Sequence, residues 1–148
     1  ISGGLILQDK DNETMPQYTV VTRQKPSELE RNTLEFAWRV AKHAKTHCAV
    51  LARGQATLGI ACGQTARMDA VRLAVVKSQE RHPIVSPTFP VVLASDGVLS
   101  LQHILEAAQA GVTAVIQPGG SSEDKDAVKA CDLRNLAMVF TGMRHYRH

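Results

Sequence analysis

From Pro90 onward the chain alternates short apolar runs with longer amphipathic stretches, and this alternation constrains the fold more than any other feature. The runs Val91 to Ala94, Val112 to Ile116 and Ala137 to Phe140 are strand-length; Leu99 to Gln109 and Asp124 to Arg134 between them read as helices. Strand, helix, strand, helix, strand dictates parallel pairing, because each crossover returns the chain to the same end of the sheet. Helices then cover the faces, and ligands of such sheets bind beyond the carboxyl ends of the strands. Gly111 lies just past the first of these helices as a C-terminal stop, and Ser121 or Ser122 is available to cap the second.

Upstream, Pro26 and the Ser27 to Glu30 capping-box spacing open a helix that runs to about Lys45, with Leu34, Trp38, Val40, Ala41 and Ala44 near helical spacing. Cys48 to Leu51 and Thr57 to Cys62, joined by Arg53-Gly54-Gln55, read as a hairpin, which makes the sheet mixed. Gly63-Gln64-Thr65 opens a helix from Ala66 to about Gln79, and Arg81 to Pro90, with three prolines, is a loop. Near the start, Leu5 to Leu7 and Tyr18 to Thr22 read as short strands on either side of a polar turn region, Asp9 to Pro16.

A length of 148 residues fits one domain, 1–148, and aromatics at 4% imply a core of Val, Ala, Leu and Ile. The charge of +3 permits attraction to phosphate-bearing metabolites. No Lys/Arg stripe is interleaved with stacking aromatics, so no nucleic-acid partner is expected. Cys48, Cys62 and Cys131 are odd in number, far apart and in apolar surroundings, as buried free thiols of a reducing cytosol would be. The apolar runs fall well short of the roughly 20 residues of a membrane helix, and Ile1-Ser2-Gly3-Gly4 lacks a signal-peptide pattern. A cytoplasmic protein with no membrane partner is expected. The missing initiator Met and the early strand-like run are those of a chain cut from something longer.

Two glycine turns could carry anion chemistry. Gly63-Gln64-Thr65 precedes Arg67 at a helix start, where backbone N–H groups, the helix dipole and a guanidinium favour negative charge. In Pro118-Gly119-Gly120-Ser121-Ser122 the glycines either let the backbone approach a ligand or make an ordinary turn. Neither turn is a P-loop. Asp96, just after a strand, reads as a helix N-cap or Asx-turn. The histidines form no metal pattern: His43 and His47 lack the acidic residue of H-E-x-x-H, His82 reads as loop surface and His103 as a helix-face residue. Finally, Arg144, His145, Arg147 and His148 follow an apolar run and Thr141-Gly142, which places cationic donors at a strand's carboxyl end and holds the tail near the sheet.

Several segments occur in an order and spacing that resemble one family. They are Ser2-Gly3-Gly4, Phe36-Ala37-Trp38-Arg39-Val40-Ala41-Lys42-His43, Gly59-Ile60-Ala61-Cys62-Gly63-Gln64, Arg67, Ser95-Asp96, Gln117-Pro118-Gly119-Gly120-Ser121 and Arg144-His145-Tyr146-Arg147-His148. Together they resemble the transformylase domain of the bifunctional AICAR formyltransferase/IMP cyclohydrolase family of purine biosynthesis. The resemblance implies a three-layer α/β/α, cytidine-deaminase-like fold, this chain being the second copy of a duplicated domain. It implies transfer of a formyl group from 10-formyltetrahydrofolate to AICAR ribotide across a homodimer interface, or with a partner chain that supplies the missing half. Under it Arg144 matches the arginine that holds the 5′-phosphate, Arg67 another ligand-contacting arginine, and Asp96 an acidic residue associated in some members with a monovalent cation. His47 stands where members carry an asparagine that contacts reacting groups, and Gly63 and Gln64 belong to the same substrate-binding set.

The chain also departs from that pattern. The family's catalytic Lys-His pair lies in the first transformylase half, which is absent here together with the cyclohydrolase domain, so no catalytic residue is assigned. The aromatic-rich run after Ser-Asp is replaced by Gly97-Val98-Leu99-Ser100-Leu101-Gln102-His103, which loses the aromatic wall and the carboxylate expected to engage the folate. H-x-E and P-C-x-x-C are missing, which excludes a zinc deaminase. Two expectations follow: a transformylase half-domain that is incomplete alone, or a non-catalytic ribotide-binding or interaction paralogue.

Overall fold

Residues 2–13, 17–81 and 89–145 are those that the computed structural model describes, and they form a six-stranded sheet with helices on both faces. In chain order the elements are β1 (Thr19–Val20), α1 (Glu28–His43), β2 (Ala49–Arg53), β3 (Ala56–Ala61), α2 (Arg67–Arg81), β4 (Val91–Ser95), α3 (Leu101–Gln109), β5 (Val112–Gln117), α4 (Asp124–Leu133) and β6 (Ala137–Phe140). The strand order is β1-β6-β5-β4-β2-β3. β4, β5 and β6 are parallel, as the alternation dictates, while β2 runs antiparallel to both β3 and β4, and β1 antiparallel to β6. The sheet is therefore mixed and the architecture is a three-layer α/β/α fold.

Side-chain alternation along the strands divides the core in two. Val50, Val92, Ile116 and Val139 point to one face and pack under Leu34, Trp38 and other residues of α1. Leu51, Leu93, Val115 and Met138 point to the other, under α2, α3 and α4. Both faces are covered, which explains why the central strands read as continuous apolar runs. Small side chains dominate, with Trp38 the largest fully buried residue.

Local chemistry sets the helix starts. Ser27 caps α1: its side chain accepts from Glu30 N–H at 3.3 Å, and Glu30 Oε2 accepts from Ser27 N–H at 2.8 Å. Such a box contributes about 1 kcal/mol. α3 begins two residues later than the sequence predicts, because Leu99 is drawn wholly into the core and Ser100 becomes the N-cap. His103, predicted as a plain helix-face residue, closes that cap by accepting Ser100 N–H on Nδ1 at 2.9 Å.

Three further expectations are corrected. Leu5 to Leu7 forms no strand and is largely exposed, because three apolar residues need a neighbouring strand and none among the described residues pairs with them. The predicted strand Tyr18 to Thr22 contracts to Thr19–Val20, since the Thr22 hydroxyl accepts from Met138 N–H at 2.8 Å and ends the ladder. Of the three thiols, Cys48 and Cys131 are buried but Cys62 is exposed, just beyond the end of β3. His82 and most of the loop Arg81 to Pro90 lie outside the described residues, as do Tyr146, Arg147 and His148.

Gly59 marks a close approach of α2 to the sheet. A Cβ there would lie 2.1 Å from the carbonyl oxygen of Ala74 on α2, closer than any backbone contact allows. Gly59→Ala is expected to cost about 1–3 kcal/mol by forcing α2 off the sheet, read as a lowered urea midpoint with an unchanged slope.

Candidate functional site

The carboxyl end of β4 brings together most of the residues singled out from the sequence. Asp96 follows β4 directly and is fully buried. Antiparallel pairing sets the start of β2 and the end of β3 at the same edge, with Ala49 opposite both Ser95 and Ala61. Cys48 N–H consequently donates to Asp96 Oδ1 at 3.0 Å, and Ser95 Oγ donates to the Cys48 carbonyl at 3.0 Å. Beyond β3, Gly63 N–H donates to the Thr46 carbonyl at 2.8 Å, tying the turn before α2 to the loop before β2. Arg67, at the start of α2, reaches back with one terminal nitrogen to Asp96 Oδ1 at 2.6 Å and Ser95 Oγ at 2.9 Å. Its side chain is 11% exposed.

Asp96 is therefore neither a helix N-cap nor a local turn former; burial and the guanidinium make it one half of an interior ion pair. Its Oδ2 is buried without a hydrogen-bond partner among the described residues, as is Nδ1 of half-buried His47, whose backbone lies at φ +51°. Gln64 turns back on its own loop, its Nε2 donating to the Cys62 carbonyl at 3.0 Å. Burial, with the negative charge of Asp96 beside it, pushes the Cys48 thiol up to about 12, so it is an inert core group. His103 is held below the ordinary histidine value by burial and the nearby charge of Arg67.

Arg144 stands apart from this group, past the end of β6. The chain there is tied to the sheet by Thr141 N–H to the Gln117 carbonyl at 3.0 Å and Gly142 N–H to the Pro118 carbonyl at 2.9 Å. Arg144 is exposed and lines a cleft of about 530 Å3 with Met143 and the segment Leu7 to Glu13. Its neighbour His145 is not a ligand-facing cation: it is fully buried against Trp38, with ring centroids 5.0 Å apart. Burial lowers the His145 pKa, only partly offset by its hydrogen bond to Asp11. Burial raises the Asp11 pKa, but bonds and charges from Lys45 and His145 outweigh this and leave it lowered.

The glycine turn after β5 does not open toward a ligand. Gly120 and Ser121 N–H groups both donate to Asp124 Oδ2, at 2.7 and 3.1 Å, so the chain fills its own turn. Glu123, not either serine, occupies the N-cap position of α4. A larger and more apolar groove, about 600 Å3, runs from Arg23 across α4 to Phe140 and holds none of the predicted site residues. No group of three or more His, Cys, Asp or Glu among the described residues could hold a metal ion. No helix among them is long and apolar enough to cross a membrane.

Sequence reasoning missed Gln117 as a strut and Asp11, Lys42 and Lys45 as a cluster. Gln117 is fully buried and its Oε1 accepts from Leu99 N–H, which fixes the segment after Asp96. Lys42 and Lys45 share a helix end, but nothing in their spacing identifies a carboxylate about thirty residues upstream.

A family model described as the AICARFT/IMPCHase bienzyme matches residues 1–77. Proteins named "Bifunctional purine biosynthesis protein PurH" from Dinoroseobacter shibae and Chelativorans sp. are 45% and 46% identical to the whole of this chain, which covers 29% of each. The protein of that name from Anoxybacillus flavithermus is 44% identical, with 28% of its length covered. The chain thus spans less than a third of the length of the curated relatives it matches.

Two outcomes are expected of this geometry. Arg67→Ala should destabilise by about 3–5 kcal/mol, because it leaves Asp96 charged and buried, and adding Asp96→Asn should recover much of the loss; chemical denaturation of the three variants measures this. Stability should also fall with pH below the ordinary histidine value of 6.5. There the unfolded chain takes up protons that folded His103 and His145 refuse, so it binds more protons and unfolding becomes easier. Urea midpoints at pH 7.5 and 5.5 test the sign, and His103→Gln, which keeps a side-chain acceptor for the cap, should reduce the slope.

Proposed function

Because this chain belongs to the AICARFT/IMPCHase bienzyme family, we propose that it serves purine biosynthesis as the second, cytidine-deaminase-like copy of a transformylase domain, holding AICAR ribotide. The observation that carries this reading is the place of Arg144. An exposed guanidinium stands past a parallel strand's carboxyl end, beside a cleft, on backbone tied to two strand ends. A guanidinium meets a phosphate monoester through paired, charge-assisted hydrogen bonds, and a fixed backbone lowers the cost of ordering it. Arg67 supports the reading differently. Its charge is balanced by Asp96, so it contributes donors and shape at the base-side edge rather than net positive charge. His47, Gly63 and Gln64 line the same edge. A monovalent cation near Asp96 belongs to this proposal, the unpartnered Oδ2 being the ligand oxygen it would use.

Formyl transfer from 10-formyltetrahydrofolate is the activity of the complete domain in this reading, with a homodimer or a partner chain supplying the Lys-His segment. A second reading, a non-catalytic ribotide-binding or interaction paralogue, is favoured by the segment after Asp96. Leu99 is core, Ser100 caps α3 and the His103 Nδ1 acceptor closes that cap, so all three already serve the fold.

Calorimetric titration of AICAR ribotide into this chain, beside Arg144→Ala, tests the shared part. Binding that weakens about tenfold or more in the variant is expected, the loss of a charged hydrogen-bond donor. No binding at millimolar ligand rejects the phosphate site. Turnover with an added first half selects the half-domain, and binding without turnover selects the paralogue.

A further inference from the structure

Asp11 lies in a stretch without regular secondary structure, yet two distant parts of the chain converge on its carboxylate. Lys45 Nζ lies 2.6 Å from Oδ2, Lys42 Nζ 3.7 Å from Oδ1, and His145 Nδ1 2.9 and 3.0 Å from the two oxygens. Lys42 also donates to the Glu13 carbonyl at 2.7 Å, a second tie between the end of α1 and this segment. The side chains of Asp11 and Lys45 are about four-fifths buried and that of Lys42 more so, so the cluster is better shielded than a surface ion pair.

His145 is the hinge of the arrangement. It is fully buried, its ring tilted 49° against that of Trp38, and its Nδ1–H donates to Asp11. Arg144 precedes it directly, so fixing the imidazole fixes the backbone from which the Arg144 side chain leaves. The segment carrying Asp11 also forms the other wall of the Arg144 cleft. One carboxylate therefore sets both sides of that cleft. Its own charge is compensated by Lys42 and Lys45, which removes a repulsion that an approaching phosphate would otherwise meet.

We propose that Asp11 is a positioning residue for Arg144. It holds His145 against Trp38, closes the segment Leu7 to Glu13 over the end of α1, and thereby sets the guanidinium where the ribotide's 5′-phosphate binds. This inference rests on the ribotide reading above. Asp11 touches no reacting atom; it acts through His145 and Arg144.

The test uses the whole chain with AICAR ribotide and its phosphate-free riboside as probes, on Asp11→Asn, Arg144→Ala and the double variant. Asp11→Asn should weaken ribotide binding about tenfold, leave riboside binding unchanged, and add nothing in the Arg144→Ala background. Equal weakening for both probes, or an additive double variant, would indicate general loosening and overturn the proposal. Trp38, the single tryptophan, gives a readout that needs no ligand. Its emission should shift to the red in Asp11→Asn with far-UV circular dichroism unchanged, and stay put in Arg144→Ala. An unshifted Trp38 overturns the anchoring directly. Should the wild-type chain prefer neither probe, the ribotide reading fails and the positioning role for that ligand fails with it, while the Trp38 shift still decides whether Asp11 holds the tail.

Discussion

A carboxylate with no solvent exposure organises one end of this molecule. Burying Asp96 unpaired would cost several kcal/mol, and the fold avoids that by bringing two distant segments to it. The segment before β2 supplies the Cys48 N–H and the start of α2 the Arg67 guanidinium, while the Ser95 hydroxyl braces both by accepting from Arg67 and donating to the Cys48 carbonyl. Each contact needs the antiparallel β2–β3 hairpin to sit beside the parallel strands, since only then do Cys48, Ser95 and Gly63 share an edge. The mixed sheet and the buried ion pair are in this sense one constraint. The pair's specificity value lies in register: a shift of one residue in β2 would turn Cys48 N–H away from the carboxylate.

Much of the architecture was legible because it rests on short-range regularities. Val91 to Ala94, Val112 to Ile116 and Ala137 to Phe140 are apolar on both faces, bounded by turns and separated by helix-length stretches; only a covered parallel sheet uses such a pattern. The capping box at Ser27 and Glu30 was equally plain. Failures fell where a partner distant in sequence decides. Leu5 to Leu7 has strand chemistry but no strand to join. Leu99 has helix spacing but is drawn under the sheet by Gln117, eighteen residues away. Asp96-Gly97 carries turn chemistry that the buried guanidinium overrides.

The candidate site was legible in outline and not in its partition. Asp96, Arg67, Gly63, Gln64 and His47 do meet at one edge, while Arg144 belongs to a second locality reached through His145, Asp11 and the end of α1. Reading the tail as a uniform run of cations failed for a physical reason. The His145 imidazole is fully buried in tilted contact with the Trp38 indole, where burial disfavours its charged form, so it is structural while its neighbour is exposed. Asp11 left no trace in the sequence because ion-pair partners about thirty and over a hundred residues apart produce no periodicity.

The self-filled turn after β5 carries a consequence of its own. Two backbone N–H groups at Gly120 and Ser121 form the kind of concavity that anions seek, and Asp124 already sits in it from four residues away. A tethered carboxylate acts as an internal competitor at an effective concentration no free metabolite reaches. These two N–H groups are thus already occupied and closed to an outside anion.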